Sequence, residues 1–96
     1  IQSFRTKASE DISNGKVTKA ARKFYPQNLW GIASRKLDQL DSAATLDELR
    51  VPPGNRLEAL SADRKGQHSI RINNQWRICF RWETGDAYDV EITDYH

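Results

Sequence analysis

The residues with chemistry to offer are two histidines, His68 and His96, the closing run Asp94-Tyr95-His96, and arginines 77 and 81 within an alternating apolar stretch. Imidazole exchanges protons near neutral pH, a carboxylate can take one, and guanidinium grips phosphate oxygens at two points. Cleavage of RNA through its own 2′-hydroxyl asks for that set: a base for the hydroxyl proton, an acid for the leaving 5′-oxygen, and cations for the extra phosphoryl charge. A tyrosine adds a donor or a stacking ring. Each residue also has a plainer use, since a terminal histidine is commonly a solvated tail residue and a strand histidine an edge residue. The sequence holds no Cys/His cluster of zinc spacing and no glycine-rich phosphate loop. Neither a metal nor another cofactor is therefore expected.

The chain has 96 residues, 38% of them hydrophobic and 29% charged, which fits one globular domain over residues 1–96. No stretch reaches the roughly 20 apolar residues of a membrane span, and the opening residues lack the apolar run of a secretory signal. A cytoplasmic location without membrane attachment is expected. The lone Cys79 sits in an apolar strand pattern and reads as core filler. The net charge of +2 is unevenly spread. Residues 50–82 hold seven Lys or Arg against Glu58 and Asp63, whereas residues 83–96 hold five acids and no Lys or Arg. Either a basic strand pairs with an acidic one, or part of the excess forms a surface for phosphates.

These residues need a scaffold, and the hydrophobic spacing describes one. Leu29, Ile32, Ala33, Lys36, Leu37 and Leu40 fall at helical intervals, which predicts a helix over residues 29–42 with Asn28 as its cap. Thr45 followed by Glu48 forms a capping box for one more short turn, and Pro52 ends it. Residues 2–5 suit a short edge strand. Residues 6–25 are ambiguous: Ser13-Asn14-Gly15 interrupts a weak stripe of Val17, Ala20, Ala21 and Phe24, so residues 1–28 are the part expected to be locally mobile.

After Pro52-Pro53-Gly54-Asn55 the period changes to two. A short strand near 57–60 precedes one through Ile70 and Ile72. A two-residue turn at Asn73-Asn74 leads to Trp76, Ile78, Phe80 and Trp82, and a second turn at 83–86 leads to Tyr88, Val90 and Ile92. The result is an α+β fold, with an antiparallel sheet of three to four strands packed on one main helix. Alternation then puts Arg77, Cys79 and Arg81 on the face away from the helix, and separates Asp94 from Tyr95.

Four strings in order resemble a known family: Pro52-Pro53-Gly54-Asn55-Arg56-Leu57-Glu58, Gly66-Gln67-His68-Ser69-Ile70-Arg71, Gln75-Trp76-Arg77-Ile78-Cys79-Phe80 and Asp94-Tyr95-His96. Together they look like the HigB branch of the RelE toxins, over residues 29–96 firmly and the remainder loosely. The resemblance implies a microbial ribonuclease fold of RelE type and metal-independent endonuclease cleavage of messenger RNA in the ribosomal A site, which stops translation and growth. It implies a HigA-like helix-turn-helix antitoxin as partner. By the same resemblance Arg77 would neutralise the scissile phosphate, Asp94, Tyr95 and His96 would position RNA and share the proton transfers, and Arg64 and Lys65 would grip RNA, with Arg71, Arg81 and His68 as further RNA contacts. Glu58 stands where some HigB toxins carry a histidine. It could act as the base or serve as an ion-pair partner of Arg77, and its presence raises the alternative of a non-catalytic RNA- or ribosome-binding module neutralised by a partner.

Overall fold

The computed structural model describes residues 1–94. Three helices, α1 (Lys7–Ser13), α2 (Lys19–Phe24) and α3 (Gln27–Ser42), precede four strands, β1 (Glu58–Ala59), β2 (Gln67–Arg71), β3 (Trp76–Glu83) and β4 (Asp86–Asp94). The strands form one antiparallel sheet in the order β1-β2-β3-β4. No helix among the described residues is long and apolar enough to cross a membrane.

The α3 helix forms because one stripe of it is apolar. Leu29, Ala33, Leu37 and Leu40 are buried against Ile70, Ile78, Phe80, Val90 and Ile92 of the sheet. It begins two residues earlier than its spacing suggested. Pro26 occupies the cap position, so Asn28 lies in the first turn and caps nothing. The capping box at Thr45 is present, with Glu48 Oε2 accepting the backbone N–H groups of Ala44 and Thr45 at 2.6 Å each. Those two donors, Thr45 first, hold the Glu48 carboxyl below the ordinary carboxylate range.

The helical layer is larger than one main helix, because residues 7–24 fold as α1 and α2. Their caps are Thr6 and Thr18, each accepting the N–H three residues on. Their inner faces carry polar groups, which is why no apolar stripe announced them: Ser9 and Asp11 are buried beside Ala8, Ile12 and Ala21. Asp11 accepts a hydrogen bond from Thr18 Oγ1 at 2.8 Å and faces Lys7 Nζ at 3.2 Å. The Thr18 hydroxyl above all, then Lys7, keeps its carboxyl below the ordinary range. The unfolded chain therefore binds this proton more readily than the folded one, and stability present above about pH 4 drains as the pH falls through the folded-state value. Asp11→Asn is expected to flatten acid unfolding below about pH 4, measured by circular dichroism. An unchanged acid limb would remove Asp11 from that account.

Two features of the sheet differ from simple alternation. The β2–β3 connection is not a two-residue turn, since Ile72 N–H donates to the Trp76 carbonyl at 2.9 Å and Asn73 Oδ1 accepts from the N–H groups of Gln75 and Trp76. This side-chain turn needs no positive φ, and neither asparagine has one. It sets Ile70 opposite Ile78 and Arg71 opposite Arg77, the register that keeps apolar residues on the helix side. The second feature is a bulge in β4. Cys79 pairs with Glu91 but Arg81 pairs with Tyr88, so Asp89 and Val90 together face Phe80, with Asp89 at φ 52°. The extra residue moves Tyr88 to the outer face, and Ala87 takes the buried place expected of it.

Residues 2–5 run parallel to β4, where Gln2 and Arg5 donate N–H groups to Ala87 and Val90 and Val90 donates to Ser3. Further along, the Ile92 N–H donates to Ser9 Oγ at 3.0 Å and its carbonyl accepts from the Tyr25 hydroxyl at 2.8 Å.

Candidate functional site

The face of the sheet away from the helices carries Glu58 on β1, Gln67, Ser69 and Arg71 on β2, Arg77, Cys79 and Arg81 on β3, and Tyr88, Glu91 and Thr93 on β4, as the strand register dictates. Its charges separate into two groups. Toward β4 the cations are matched by acids: Arg64 meets Glu91 at 2.9 Å, and Arg81 meets Asp89 at 2.8 Å and Glu83 at 2.6 Å. Arg81 also lies 5.6 Å from the centre of the Tyr88 ring. Two of the basic residues expected to hold RNA are thus engaged within the fold. Lys65 is exposed on the turn beside Arg64.

Toward the β2–β3 turn the balance changes. Arg56, Arg71 and Arg77 converge with Asn73 and Asn74 around a polar cleft of about 330 Å³. Arg71 and Arg77 are direct cross-strand partners, a like-charge arrangement that costs stability unless something else gains from it. Arg71 bends back, donating through Nε to the Asn73 carbonyl at 3.0 Å and through Nη2 to the Asn74 side chain. Arg77 is held more firmly. Its Nε donates to Ser69 Oγ at 2.8 Å and its Nη2 to the Arg56 carbonyl at 2.8 Å. The side chain keeps 12% of its surface exposed. The nearest carboxylate is Glu58, with Oε2 3.7 Å from Arg77 Nη2 and a half-exposed side chain.

The carbonyl that orients Arg77 belongs to a residue in the left-handed region, Arg56 at φ 45°. The loop before it is pinned by the fully buried Asn55, which donates to the Leu49 carbonyl and the Gln39 side chain at 3.1 Å each and accepts from Lys36 of α3. Arg56, Ser69 and Asn55 were not among the residues expected to matter. The Pro-Pro-Gly-Asn break was visible in the sequence, but that a backbone carbonyl there would meet Arg77 was not.

The other expected site residues lie elsewhere. His68 shares the inner face with Phe80, its ring stacked 6.2 Å away, and its Nδ1 is buried without a hydrogen-bond partner among the described residues. Asp94 pairs with Trp76 and so stands on the inner face too, where it accepts from Gln75 Nε2 at 2.9 Å. Tyr95 and His96 lie outside the described residues. Cys79 is buried beneath the outer-face charges, and burial pushes its thiol up, which leaves it protonated and inert. Among the described residues no group of three or more His, Cys, Asp or Glu is placed to hold a metal ion. What the cleft offers is fixed guanidinium charge for an anion.

Comparison with known proteins agrees with the strings that suggested a family. A family model described as the RelE-like toxin of type II toxin-antitoxin system HigB matches residues 8–96. The chain is 43% identical over 70 residues to Toxin HigB-1 of Vibrio cholerae, covering 73% of this chain and 74% of that one. It is 38% identical over 61 residues to Endoribonuclease HigB of Proteus vulgaris, covering 64% of this chain and 65% of that one. Among solved structures it resembles the YoeB-YefM complex from Staphylococcus aureus, with a TM-score of 0.60 at 12% identity over 100% of this chain and 97% of that one, a likeness of fold. On its sequence, this chain belongs to the HigB-like family of RelE-type toxins from type II toxin–antitoxin systems.

Proposed function

We propose that this protein is an endoribonuclease that cuts messenger RNA in the ribosomal A site, and so arrests translation and growth until a HigA-like helix-turn-helix antitoxin neutralises it. The observation that carries the reading is Arg77, fixed by Ser69 and the Arg56 carbonyl in a cleft where three arginines face one loosely placed carboxylate. A phosphodiester there meets charge already oriented, which stabilises the extra negative charge of the transition state without further reorganisation. The guanidinium groups supply the charge a metal would otherwise bring, so the cleavage is metal-independent. The closing run Asp94-Tyr95-His96 is assigned the proton transfers and the positioning of the RNA on its match to the family, although Asp94 itself stands on the inner face of the sheet, with Glu58 as a further candidate base within reach of Arg77. Lys65 adds a contact to the phosphate backbone. The relative named Endoribonuclease HigB supports the activity, and the family supports the antitoxin. Dependence on the ribosome suits a chain of net charge +2, which has little long-range attraction for free RNA, and it places the protein in the cytoplasm.

Primer extension on a messenger RNA in a reconstituted translation system tests this. New 5′ ends are expected within the reading frame when ribosomes are translating and not on the same RNA alone. No new ends with active ribosomes would leave only a binding module, and equal cutting of free RNA would remove the ribosome from the mechanism.

A further inference from the structure

A second recess opens at the same end of the sheet and is not accounted for by the arginine cleft. Between α1, α2 and the end of β4 runs a groove of about 390 Å³ with Ala8, Ala20 and Ile92 along its floor, Phe24 and Trp76 in its walls, and Asp94 at its margin. Phe24 keeps 58% of its surface exposed, whereas every other Phe, Tyr and Trp ring among the described residues is at least partly buried. Trp76 is held edge-on by Tyr25, with ring centres 5.5 Å apart.

The groove's own charged lining is mixed, Lys7 with Glu91 and Asp94, and two exposed lysines stand beside it on α2. Ala20 and Phe24 lie one turn apart on α2, and the adjacent row carries Lys19 and Lys23, also one turn apart. Lys23 Nζ stands 5.6 Å from the centre of the Phe24 ring. Neither lysine makes an ion pair among the described residues. The surrounding stretch, residues 13–37, holds six Lys or Arg and no acid, a local excess hidden within the modest charge of the whole first half. Trp76 in the groove and Arg77 in the cleft are consecutive on β3, so the two recesses lie on opposite sides of one strand end.

We propose that the groove seats an unpaired nucleobase of the RNA between Phe24 and Trp76, with Lys19 and Lys23 holding the flanking phosphates while Arg77 holds the phosphate to be cut. The proposal rests on the RNA-cleaving reading above. Aromatic walls beside a cationic track are the general means of holding a single strand, because every base brings a stacking face and a phosphate together. An apolar protein segment would cover Phe24 but leave both lysines in want of acids.

The test uses the full chain and a fluorescein-labelled hexaribonucleotide with 2′-O-methyl groups throughout, which cannot be cut through a 2′-hydroxyl. At low salt, Phe24→Ala is expected to weaken binding about ten-fold, the loss of one stacked base, with an unchanged melting temperature because the ring is exposed. The double variant Lys19→Ala/Lys23→Ala should reduce the slope of log affinity against log salt by about 1.4, the value for two single-strand phosphates. Arg77→Ala separates this idea from the reading beneath it. If Arg77→Ala weakens binding while the groove variants bind as wild type, the base seat is wrong and the cleft stands. If the groove variants weaken binding and Arg77→Ala does not, the base seat stands and the role given to Arg77 fails. No binding by the wild-type protein at low salt overturns the base seat, as does loss of antitoxin binding by Phe24→Ala with RNA affinity intact.

Discussion

Arg77→Ala is expected to lower the rate of ribosome-dependent mRNA cleavage by about 100- to 1,000-fold, the usual cost of removing one oriented donor from a transition-state charge. The side chain is held from two directions, by a hydroxyl on the neighbouring strand and by a carbonyl on the loop before β1. Its geometry is therefore set before RNA arrives. Arg77→Lys is expected to recover little, because a single ammonium cannot meet Ser69, the Arg56 carbonyl and a phosphate at once in the planar fork that guanidinium provides. Both variants should be compared by primer extension and by growth after induction, with thermal melting as a control, since alanine also leaves the Ser69 hydroxyl without its donor. Cleavage by a folded Arg77→Ala within a few-fold of wild type would move the chemistry out of the cleft.

The largest loss of stability is expected from Phe80→Ala, about 3–5 kcal/mol. Phe80 is fully buried, stacks with His68 and meets Trp82 edge-on at 6.4 Å. It also sits opposite the two β4 residues of the bulge, so an irregular backbone fixes one side of the space that a missing ring would leave. Against a total stability of about 5–15 kcal/mol for a domain of this kind, such a loss leaves a marginal fold. Phe80→Leu, which keeps most of the volume, should cost less than about 1.5 kcal/mol. Urea unfolding followed by tryptophan fluorescence measures both. Similar midpoints for the two variants would show that the site relaxes around a missing ring.

What could be read from residue order was what depends on regular repetition. Leu29, Ala33, Leu37 and Leu40 announced α3, Thr45 and Glu48 their capping box, and Ile78 and Phe80 the buried face of β3. The pairs that escaped notice depend on single events. The bulge rests on Asp89 adopting a positive φ, which aspartate tolerates without advertising, and that one residue decides which face Tyr88 occupies. The helices α1 and α2 escaped because Ser9 and Asp11 stand where apolar residues would have marked a stripe, Ser9 made tolerable by the distant Tyr25 and Ile92 and Asp11 by the nearby Thr18 hydroxyl and Lys7. In the site, Arg77 and its outward direction followed from alternation, whereas its pairing with Arg71 required the register that Asn73 fixes. His68 drew attention through its chemistry, and strand pairing turned it toward Phe80.

The contacts along β4 carry a further consequence. A terminal strand presents a row of open hydrogen-bonding groups, and another chain can use such a row as a template for stacking. Here residues 2–5 take the outward groups at Ala87 and Val90, and the hydroxyls of Ser9 and Tyr25 take those of Ile92. The opposite border, β1, is only two residues long. Both borders thus resist chain-to-chain polymerisation, and the protein can remain dispersed while no partner covers it.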